Sequence, residues 1–432
     1  MDLSRYVPKN RNHRKLLGLI LFLFVFFMTR PFWCPEFLYS FLLTWMGFIP
    51  AAAFYFAAVY CFEHPEKVFL RRNAYRLAAS TFVASLGLLV LELIVSHVSP
   101  PPRFLPRLQT LPNRFQRMTD IDLRGLSSER ILTTNAWGLR GDAVPGEWDK
   151  FETILAIGGS TTHGYYLDDS KTWPAQFQKI LRQKRPNVWV GNTGVDGHST
   201  RGHLVTMKYI VRTIRPSALI FMTGINDLYL SFEMSKRDAP VYQFNEVEPE
   251  WWEHFRLLQI ARLWKVILID GVPTTRHSNH FNYDPKVNPD AVFDTAPDDL
   301  SPWLVTLKEY RANLESLISQ GKELSCKMAF MTQPLLFGDG KKWGQMMGKE
   351  FWAGEQKFQI SGATYWQLLQ VFNHELIEVC KENEIPCLDL ASKISHSEEN
   401  FYDIVHFTEH GALKLAEHAA EFWEMQGRGN EE

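Results

Sequence analysis

The sequence "ILAIGGSTTHGYY", residues 154–166, runs from apolar residues into two glycines, a serine and two threonines. This pattern is typical of a buried parallel strand that ends in a tight turn at the N-terminus of a helix. The turn could bind an anion, present Ser160 as a nucleophile, or simply end the strand. A P-loop needs a Lys followed by Ser or Thr after its glycines, and a dinucleotide site needs G-x-G-x-x-G; this stretch contains neither. The nucleophile interpretation is therefore favoured over the anion-binding one.

An acid and an imidazole lie three residues apart near the end of the chain. Asp403 and His406 fall in "FYDIVHFTEHGALKLAEHAAEFW", in a loop just before a helix that Thr408 could cap. An imidazole can take the proton from a serine hydroxyl, while a carboxylate orients the ring and stabilises its charged form. This arrangement predicts Ser160 as nucleophile, His406 as general base and Asp403 as its partner. An Asp-x-x-His alone also fits a surface turn or a helix cap.

The elements that must position these residues alternate along the soluble-looking part of the chain. Apolar runs separated by amphipathic helical patterns predict βαβ units and a parallel sheet covered on both faces, with ligands at the carboxyl ends of the strands. "GGSTTHG", "NTGVDGHST" and "TGINDLY" each follow such a run. The candidate strands are residues 153–157, 188–192, 218–223, 327–333 and 385–390.

Four short blocks occur in a fixed order, "GGSTTHG", "NTGVDGHST", "GIND" and "DIVH". With these blocks the sequence resembles the SGNH hydrolase superfamily, the GDSL-like esterases and lipases, over about residues 150–425. The resemblance implies an α/β fold of three layers, α/β/α, with a flavodoxin-like parallel sheet. It also implies a Ser160, His406 and Asp403 triad that works through an acyl-enzyme.

The resemblance further implies an oxyanion hole made by the Ser160 amide, Gly197 and Asn226. Gly197, five residues after Asn192, matches the family's glycine better than Gly194 does. Negative charge develops on oxygen during acyl transfer, and a backbone amide and a side-chain amide are suitable fixed donors for it. One departure is that the family's "GDS" is "GGS" here, with Gly159 in place of the acid.

Other site chemistries fit less well. An α/β-hydrolase elbow needs G-x-S-x-G, whereas Gly158–Thr162 gives G-x-S-x-T. His163 and His198 lie close to the blocks and either line the cleft or, as is more common, are packed or solvated. No metal-ligand spacing surrounds them, so we expect no metal and no cofactor.

The first hundred residues contain three apolar segments, 16–29, 37–62 and 77–98. Their lengths predict N-terminal transmembrane helices, about three in number, with a cleaved signal peptide or a two-span hairpin as alternatives. Basic residues are concentrated before the first segment and in residues 63–76, while the loop between the first two segments has only Arg30. The positive-inside rule then predicts a multi-pass protein of the cell (inner) membrane, with its catalytic domain periplasmic or extracellular.

We therefore predict a membrane region at 1–100, a linker and lead-in at 101–150, and a catalytic domain at 151–428. A cap-like insertion is expected at 229–302. Tryptophans within it could contact substrate or a membrane surface, although helix packing is their default interpretation; they are Trp251, Trp252 and Trp264. Trp137 and Arg140 of the lead-in either pack or shape substrate choice.

Composition limits the partners. With 46 Lys and Arg against 48 Asp and Glu, the net charge of −2 argues against a nucleic-acid surface. Cys326, Cys380 and Cys387 are expected to be free thiols, with one bridge among them as the alternative. The predicted function is a serine esterase that acts on an acyl or O-acetyl ester of a small molecule, lipid or glycan. The alternatives are an acyltransferase of the same fold that modifies envelope glycans, and a catalytically silent binding module; protein partners are not identified.

Overall fold

The protein is described by a computed structural model over residues 68–98, 112–119, 123–235, 256–265, 296, 298–338, 351–353, 356–358 and 360–428. The chain divides into two compact units. One comprises Met1–Ser99 and Pro249–Gly271, and the other Pro100–Glu248 and Val272–Glu432.

The second unit contains the strands of the described residues. They are β1 (Phe115–Met118), β2 (Arg130–Thr133), β3 (Glu152–Gly158), β4 (Val188–Asn192), β5 (Ala218–Met222), β6 (Lys327–Met331), β7 (Phe351–Ala353), β8 (Gln356–Phe358) and β9 (Cys387–Leu388). β1 pairs with β2, and β7 with β8, as antiparallel ribbons. The other five strands form one parallel sheet in the order β4-β3-β5-β6-β9. The strand order reverses at β3, which is where ligands bind in open α/β sheets.

The sheet is covered on both faces because its strands are apolar on both faces. Leu155 and Ile157 of β3 belong to one buried cluster, and Ile154 and Ala156 to another, as the two-residue period of a strand requires. The α-helices in the described residues of the second unit are α1 (Ser160–His163), α2 (Trp173–Arg182), α3 (Thr200–Thr206), α4 (Arg212–Ile214), α5 (Ile225–Met234), α6 (Leu307–Glu323), α7 (Gly362–Glu382) and α8 (Glu409–Arg428). Helices α3 to α7 pack against the first cluster, while α2 and α8 pack against the second. The predicted parallel α/β fold is confirmed, and all five predicted strands are present.

The ends of the sheet strands lie level with one another. Ala156 of β3 pairs with Asn192 of β4, and Gly158 pairs with Met222 of β5. Chain segments that leave β3, β4 and β5 therefore start from one edge of the sheet. Those segments contain the "GGSTTHG", "NTGVDGHST" and "GIND" blocks.

The expected N-terminal transmembrane helices are contradicted. Crossing a membrane takes about 20 consecutive apolar residues in one helix, and none of the helices in the described part of the chain combines that length with that apolarity. Segments 16–29 and 37–62 lie outside the described residues. The predicted multi-pass membrane location, with an outward-facing catalytic domain, is contradicted by the same finding.

The third expected segment lies within helix Val68–Val98 of the first unit, where Glu92 makes structural hydrogen bonds. Its side chain is 3 % exposed, and its two oxygens accept the backbone N–H groups of Arg256 and Leu257 at 2.6 and 2.9 Å. These donors begin helix Arg256–Lys265, whose first N–H groups have no partner inside the helix. Glu92 therefore caps a helix that belongs to the predicted insertion. Trp251 and Trp252 lie outside the described residues, and the cap role of residues 229–302 stays a prediction.

Candidate active site

Ser160 is the first residue of α1, directly after the turn that ends β3. The turn needs glycine because other groups approach its backbone closely. A Cβ on Gly158 would lie 2.1 Å from Thr162 Oγ1, and one on Gly159 would lie 2.3 Å from Asn226 Nδ2. Gly164 ends the single helical turn in the left-handed region, at φ 64°, and donates its N–H to Ser160 O at 2.8 Å. The sequence therefore fixes the backbone on both sides of the serine.

The three predicted triad residues are in hydrogen-bond contact. His406 Nε2 lies 2.8 Å from Ser160 Oγ, and His406 Nδ1 lies 2.7 Å from Asp403 Oδ2. The second Asp403 oxygen, Oδ1, accepts the backbone N–H groups of Val405 and His406 at 2.9 and 2.7 Å. Asp403 is thus held by its own loop while it orients the imidazole. The tautomer that suits this network carries its proton on Nδ1 and leaves Nε2 free to accept the serine proton.

The surroundings of His406 favour its charged form. Burial alone lowers the pKa of His406, but the carboxylate of Asp403, its hydrogen bond and the charge of Asp196 outweigh burial and raise that pKa above its ordinary value. Tyr402 stacks on the ring, with centroids 5.7 Å apart and planes 10° apart. The site can therefore stabilise an imidazolium, which is the species formed when a serine hydroxyl loses its proton.

The two predicted oxyanion donors lie on segments that contact the Ser160 turn. Gly197 is in the loop between β4 and α3 at φ 80°, a conformation that favours glycine. That loop is attached to the end of β3, since Val195 N donates to Gly158 O at 3.1 Å. Asn226, at the start of α5, donates from Nδ2 to His198 O at 2.8 Å. The fold brings all five predicted site residues to one edge of the sheet.

Asp227 and Asn192 support this arrangement and were not predicted as site residues. Asp227 is buried and accepts the backbone N–H of Thr200 at 3.1 Å and its hydroxyl at 2.5 Å, so it caps α3 at the end of the Gly197 loop. Asn192 donates to Thr162 O at 2.8 Å and accepts from Gly194 N at 2.9 Å. Two features of the sequence could have indicated these residues. Asp227 is a polar residue next to Asn226, and Asn192 is an asparagine that ends a buried strand.

Arg140 binds backbone carbonyls at the end of α1, the helix that begins at Ser160. The side chain is buried, and its guanidinium donates to Asp169 Oδ1 at 2.8 Å, to His163 O at 2.7 Å, and to the carbonyls of Gly164 and Leu167. Burial lowers the pKa of Arg140, and the ion pair with Asp169 offsets part of that effect. The side chain therefore satisfies carbonyls at the end of α1. This geometry favours the packing interpretation of Arg140.

Replacing Arg140 with leucine is expected to lower the free energy of unfolding by about 3 to 5 kcal/mol, because it removes the donor of buried carbonyls and of Asp169 Oδ1. Chemical denaturation followed by circular dichroism measures this loss. Arg212→Leu is the matched control, since it removes an ion pair to Glu323 whose two side chains are exposed. Such pairs contribute about 0 to 1 kcal/mol. Equal losses in the two variants would contradict a special role for Arg140.

The other residues singled out from the sequence are packed. His163 and His198 are 4 % and 2 % exposed, and His163 Nδ1 lies 3.0 Å from Asp196 Oδ1. Trp137 packs on Trp148, with ring centroids 5.2 Å apart. The three cysteines expected as thiols, Cys326, Cys380 and Cys387, are free.

The arrangement combines a serine, a base that contacts it, an acid that orients the base, and nearby amide donors. These are the groups that acyl transfer needs. A model of the GDSL-like lipase/acylhydrolase family matches residues 156–413 of the chain. No curated protein matches the sequence.

Several solved structures are similar to this chain at low identity. One is the psychrotrophic esterase EstA from Pseudoalteromonas sp., with 10 % identity, a TM-score of 0.36, and coverage of 64 % of this chain and 99 % of that one. Another is a variant of Axe2, an acetyl xylan esterase from Geobacillus stearothermophilus, with 16 % identity, a TM-score of 0.36, and coverage of 63 % and 94 %. A third is LAE5, an alpha/beta hydrolase enzyme from the metagenome of Lake Arreo, with 14 % identity, a TM-score of 0.36, and the same coverage.

Proposed function

Because the chain belongs to the GDSL-like lipase/acylhydrolase family and is therefore a serine hydrolase, we propose that it hydrolyses an acyl or O-acetyl ester through Ser160, His406 and Asp403. The observation that supports this proposal most directly is the 2.8 Å separation of His406 Nε2 from Ser160 Oγ. A serine hydroxyl is a weak nucleophile until a base takes its proton, and a base must lie within hydrogen-bond reach to do so.

The proposed reaction has two halves. His406 removes the proton from Ser160 as its Oγ attacks the ester carbonyl, and the negative charge on the carbonyl oxygen is stabilised by the Ser160 amide, Gly197 and Asn226. The intermediate collapses to an acyl-enzyme as His406 gives its proton to the leaving alcohol. Water then attacks the acyl-enzyme with His406 again as the base, and His406 gives that proton to Ser160 Oγ as the bond to the acyl group breaks and the acid is released. Asp403 keeps the imidazole oriented in both halves.

A fluorophosphonate probe tests the proposal directly. We expect the wild-type chain to be labelled covalently at Ser160, as mapped by peptide mass spectrometry, and the Ser160→Ala variant to remain unlabelled. Hydrolysis of p-nitrophenyl esters of increasing acyl length, with and without a sugar acceptor, then gives the acyl preference. Labelling at another serine would contradict the assignment, and transfer to the sugar in preference to water would favour the acyltransferase alternative.

The pH dependence follows from the raised pKa of His406. The base works only when neutral, so a raised pKa means that activity is lost at a higher pH on acidification than an ordinary imidazole would give. The acidic limb of kcat/KM is therefore expected to have its midpoint above the usual histidine value of about 6.5. Initial rates with a p-nitrophenyl ester between pH 5 and 9 measure it. A midpoint at or below the ordinary value would contradict this prediction.

A further inference from the structure

A second carboxylate, Asp196, lies in the loop that contains Gly197 and contacts α1, the helix that begins at Ser160. It precedes Gly197, and Asp196 and Gly197 are the central residues of the turn Val195–His198, closed by a hydrogen bond from His198 N to Val195 O at 3.1 Å. Gly197 has the φ of 80° that the third position of a type II turn requires. The proposed oxyanion donor, Gly197 N–H, thus belongs to the central peptide of this turn.

The central peptide is the part of a turn that must be held. Type I and type II turns differ mainly by a rotation of that peptide through roughly 150° to 170°, the difference between their ideal central dihedral angles. Such a rotation would direct the Gly197 N–H away from its original side. The ends of the turn are attached through Val195 N to Gly158 O and through His198 O to Asn226 Nδ2. The Asp196 side chain is the attachment at the centre of the turn.

The Asp196 side chain contacts α1, the helix that begins at Ser160. Asp196 Oδ1 lies 3.0 Å from Nδ1 of His163, the last residue of α1, whose first residue is Ser160. The His163 side chain is 5 % exposed and that of Asp196 is 26 % exposed. In the described part of the chain His163 Nε2 has no hydrogen-bond partner. The Asp196 carboxylate only accepts hydrogen bonds, so the contact requires a proton on His163 Nδ1.

Resting on the proposed function, we propose that Asp196 is a positioning residue of this site. Its carboxylate holds the Gly197 peptide in register with Ser160 through His163, and its negative charge stabilises the imidazolium of His406.

The electrostatic half of the proposal agrees with the groups around His406. They include Ser160 and Asp403 through hydrogen bonds, Tyr402 through ring stacking, and Asp196 through its charge. Burial first, then Asp403 and Asp196, raise the pKa of the Tyr402 phenol well above its ordinary value. Tyr402 therefore stays neutral where His406 titrates, and the carboxylates set the position of the acidic limb. The His163 side chain contacts Asp196 and the Tyr165 ring, while Arg140 and Asn192 donate to its backbone carbonyl.

Two substitutions in the full chain separate the effect of the Asp196–His163 hydrogen bond from the effect of the Asp196 charge. Asp196→Asn keeps an oxygen that can accept the His163 N–H but removes the charge, so we expect the acidic limb to move to lower pH. His163→Ala keeps the charge but removes the attachment. We expect its plateau kcat to fall by about tenfold or more with the limb unmoved, since a misplacement of about 1 Å can cost about 10²-fold. His163→Asn is the matched control, because its Nδ2 can replace the ring Nδ1–H, and it should recover most of the lost turnover.

The rate of fluorophosphonate labelling, measured as a function of pH, gives the midpoint of the acidic limb without knowledge of the ester substrate. A wild-type chain that is not labelled at Ser160 refutes the proposed function. With wild-type labelling intact, an unmoved limb in Asp196→Asn or an undiminished kcat in His163→Ala overturns the role of Asp196. Thermal unfolding of each variant verifies that it is folded, and the Asp196→Asn limb decides the charge role even if His163→Ala does not fold.

Discussion

Ser160→Ala is expected to lower kcat by about 10⁴- to 10⁶-fold, and His406→Ala by a similar factor, because the two side chains act in a single proton transfer. The double variant should be no slower than either single variant. The 2.8 Å contact between the two residues, and the 2.7 Å contact between His406 and Asp403, are the geometric reasons. Asp403→Asn should retain more activity than either, since it removes the orienting charge but leaves the nucleophile and the base.

Steady-state and single-turnover rates with a p-nitrophenyl ester measure these losses. Circular dichroism and thermal unfolding verify that each variant is folded. Losses that multiply in the double variant would mean that Ser160 and His406 act independently. Full esterase activity in Ser160→Ala would return the "GGSTTHG" turn to the strand-end interpretation.

Gly159→Ala is expected to lower kcat by about 10²- to 10³-fold, the usual loss when one oxyanion donor is removed. The added methyl group would lie 2.3 Å from Asn226 Nδ2 and 3.2 Å from His198 O, so it must displace the amide that is proposed to stabilise the oxyanion. Asn226→Ala removes the same donor and should give a similar loss. Because both changes act through one amide, the double variant should resemble the single ones rather than multiply their effects.

Gly146→Ala is the control for this series, since nothing lies within 4 Å of the position of its Cβ. It should leave kcat unchanged. A Gly159→Ala enzyme with wild-type turnover would show that the Asn226 amide is not needed at its present position. Multiplicative losses in Gly159→Ala with Asn226→Ala would instead point to two separate functions.

In this chain the same contact leaves no room at position 159 for the Cβ of the acid that the resemblance leads one to expect. Gly159 has φ −86°, which any residue can adopt, so backbone strain is not the reason. The side chain of Asn226 occupies the space that a Cβ would need. This reason depends on a residue far along the chain, and no local pattern could have revealed it.

Much of the sheet could be predicted from the sequence because buried parallel strands are continuous apolar runs. β3, β4, β5 and β6 follow such runs closely, whereas β9 is only Cys387–Leu388, shorter than the predicted 385–390. β1, β2, β7 and β8 were not predicted, since short ribbons lack both a long apolar run and a clear alternation. The N-terminal membrane prediction relied on apolar segment length and on the distribution of basic residues, and it did not include the burial of Glu92 against a helix N-terminus.

The proposed site could be predicted where residue type and local pattern indicate chemistry, as for Ser160 and His406. Arg140 and Asp196 were not assigned because their importance lies in what they contact. Arg140 is remote from the blocks in sequence and binds carbonyls that no motif marks. Asp196 lies inside a recognised block, yet only its contact with His163 distinguishes it from a turn residue.

The contact between Ser160 and His406 joins positions 246 residues apart. Parallel strands pair only across long crossovers, and contacts of high sequence separation form slowly because chain entropy is lost before they form. The order in which the chain is synthesised adds a further constraint, since the proposed nucleophile emerges long before its proposed base. A nascent chain that ends before residue 403, or a product cut upstream of it, carries Ser160 with no base to activate it. Under the proposed mechanism, catalytic competence therefore requires completion of this domain, and incompletely made molecules are expected to be hydrolytically silent.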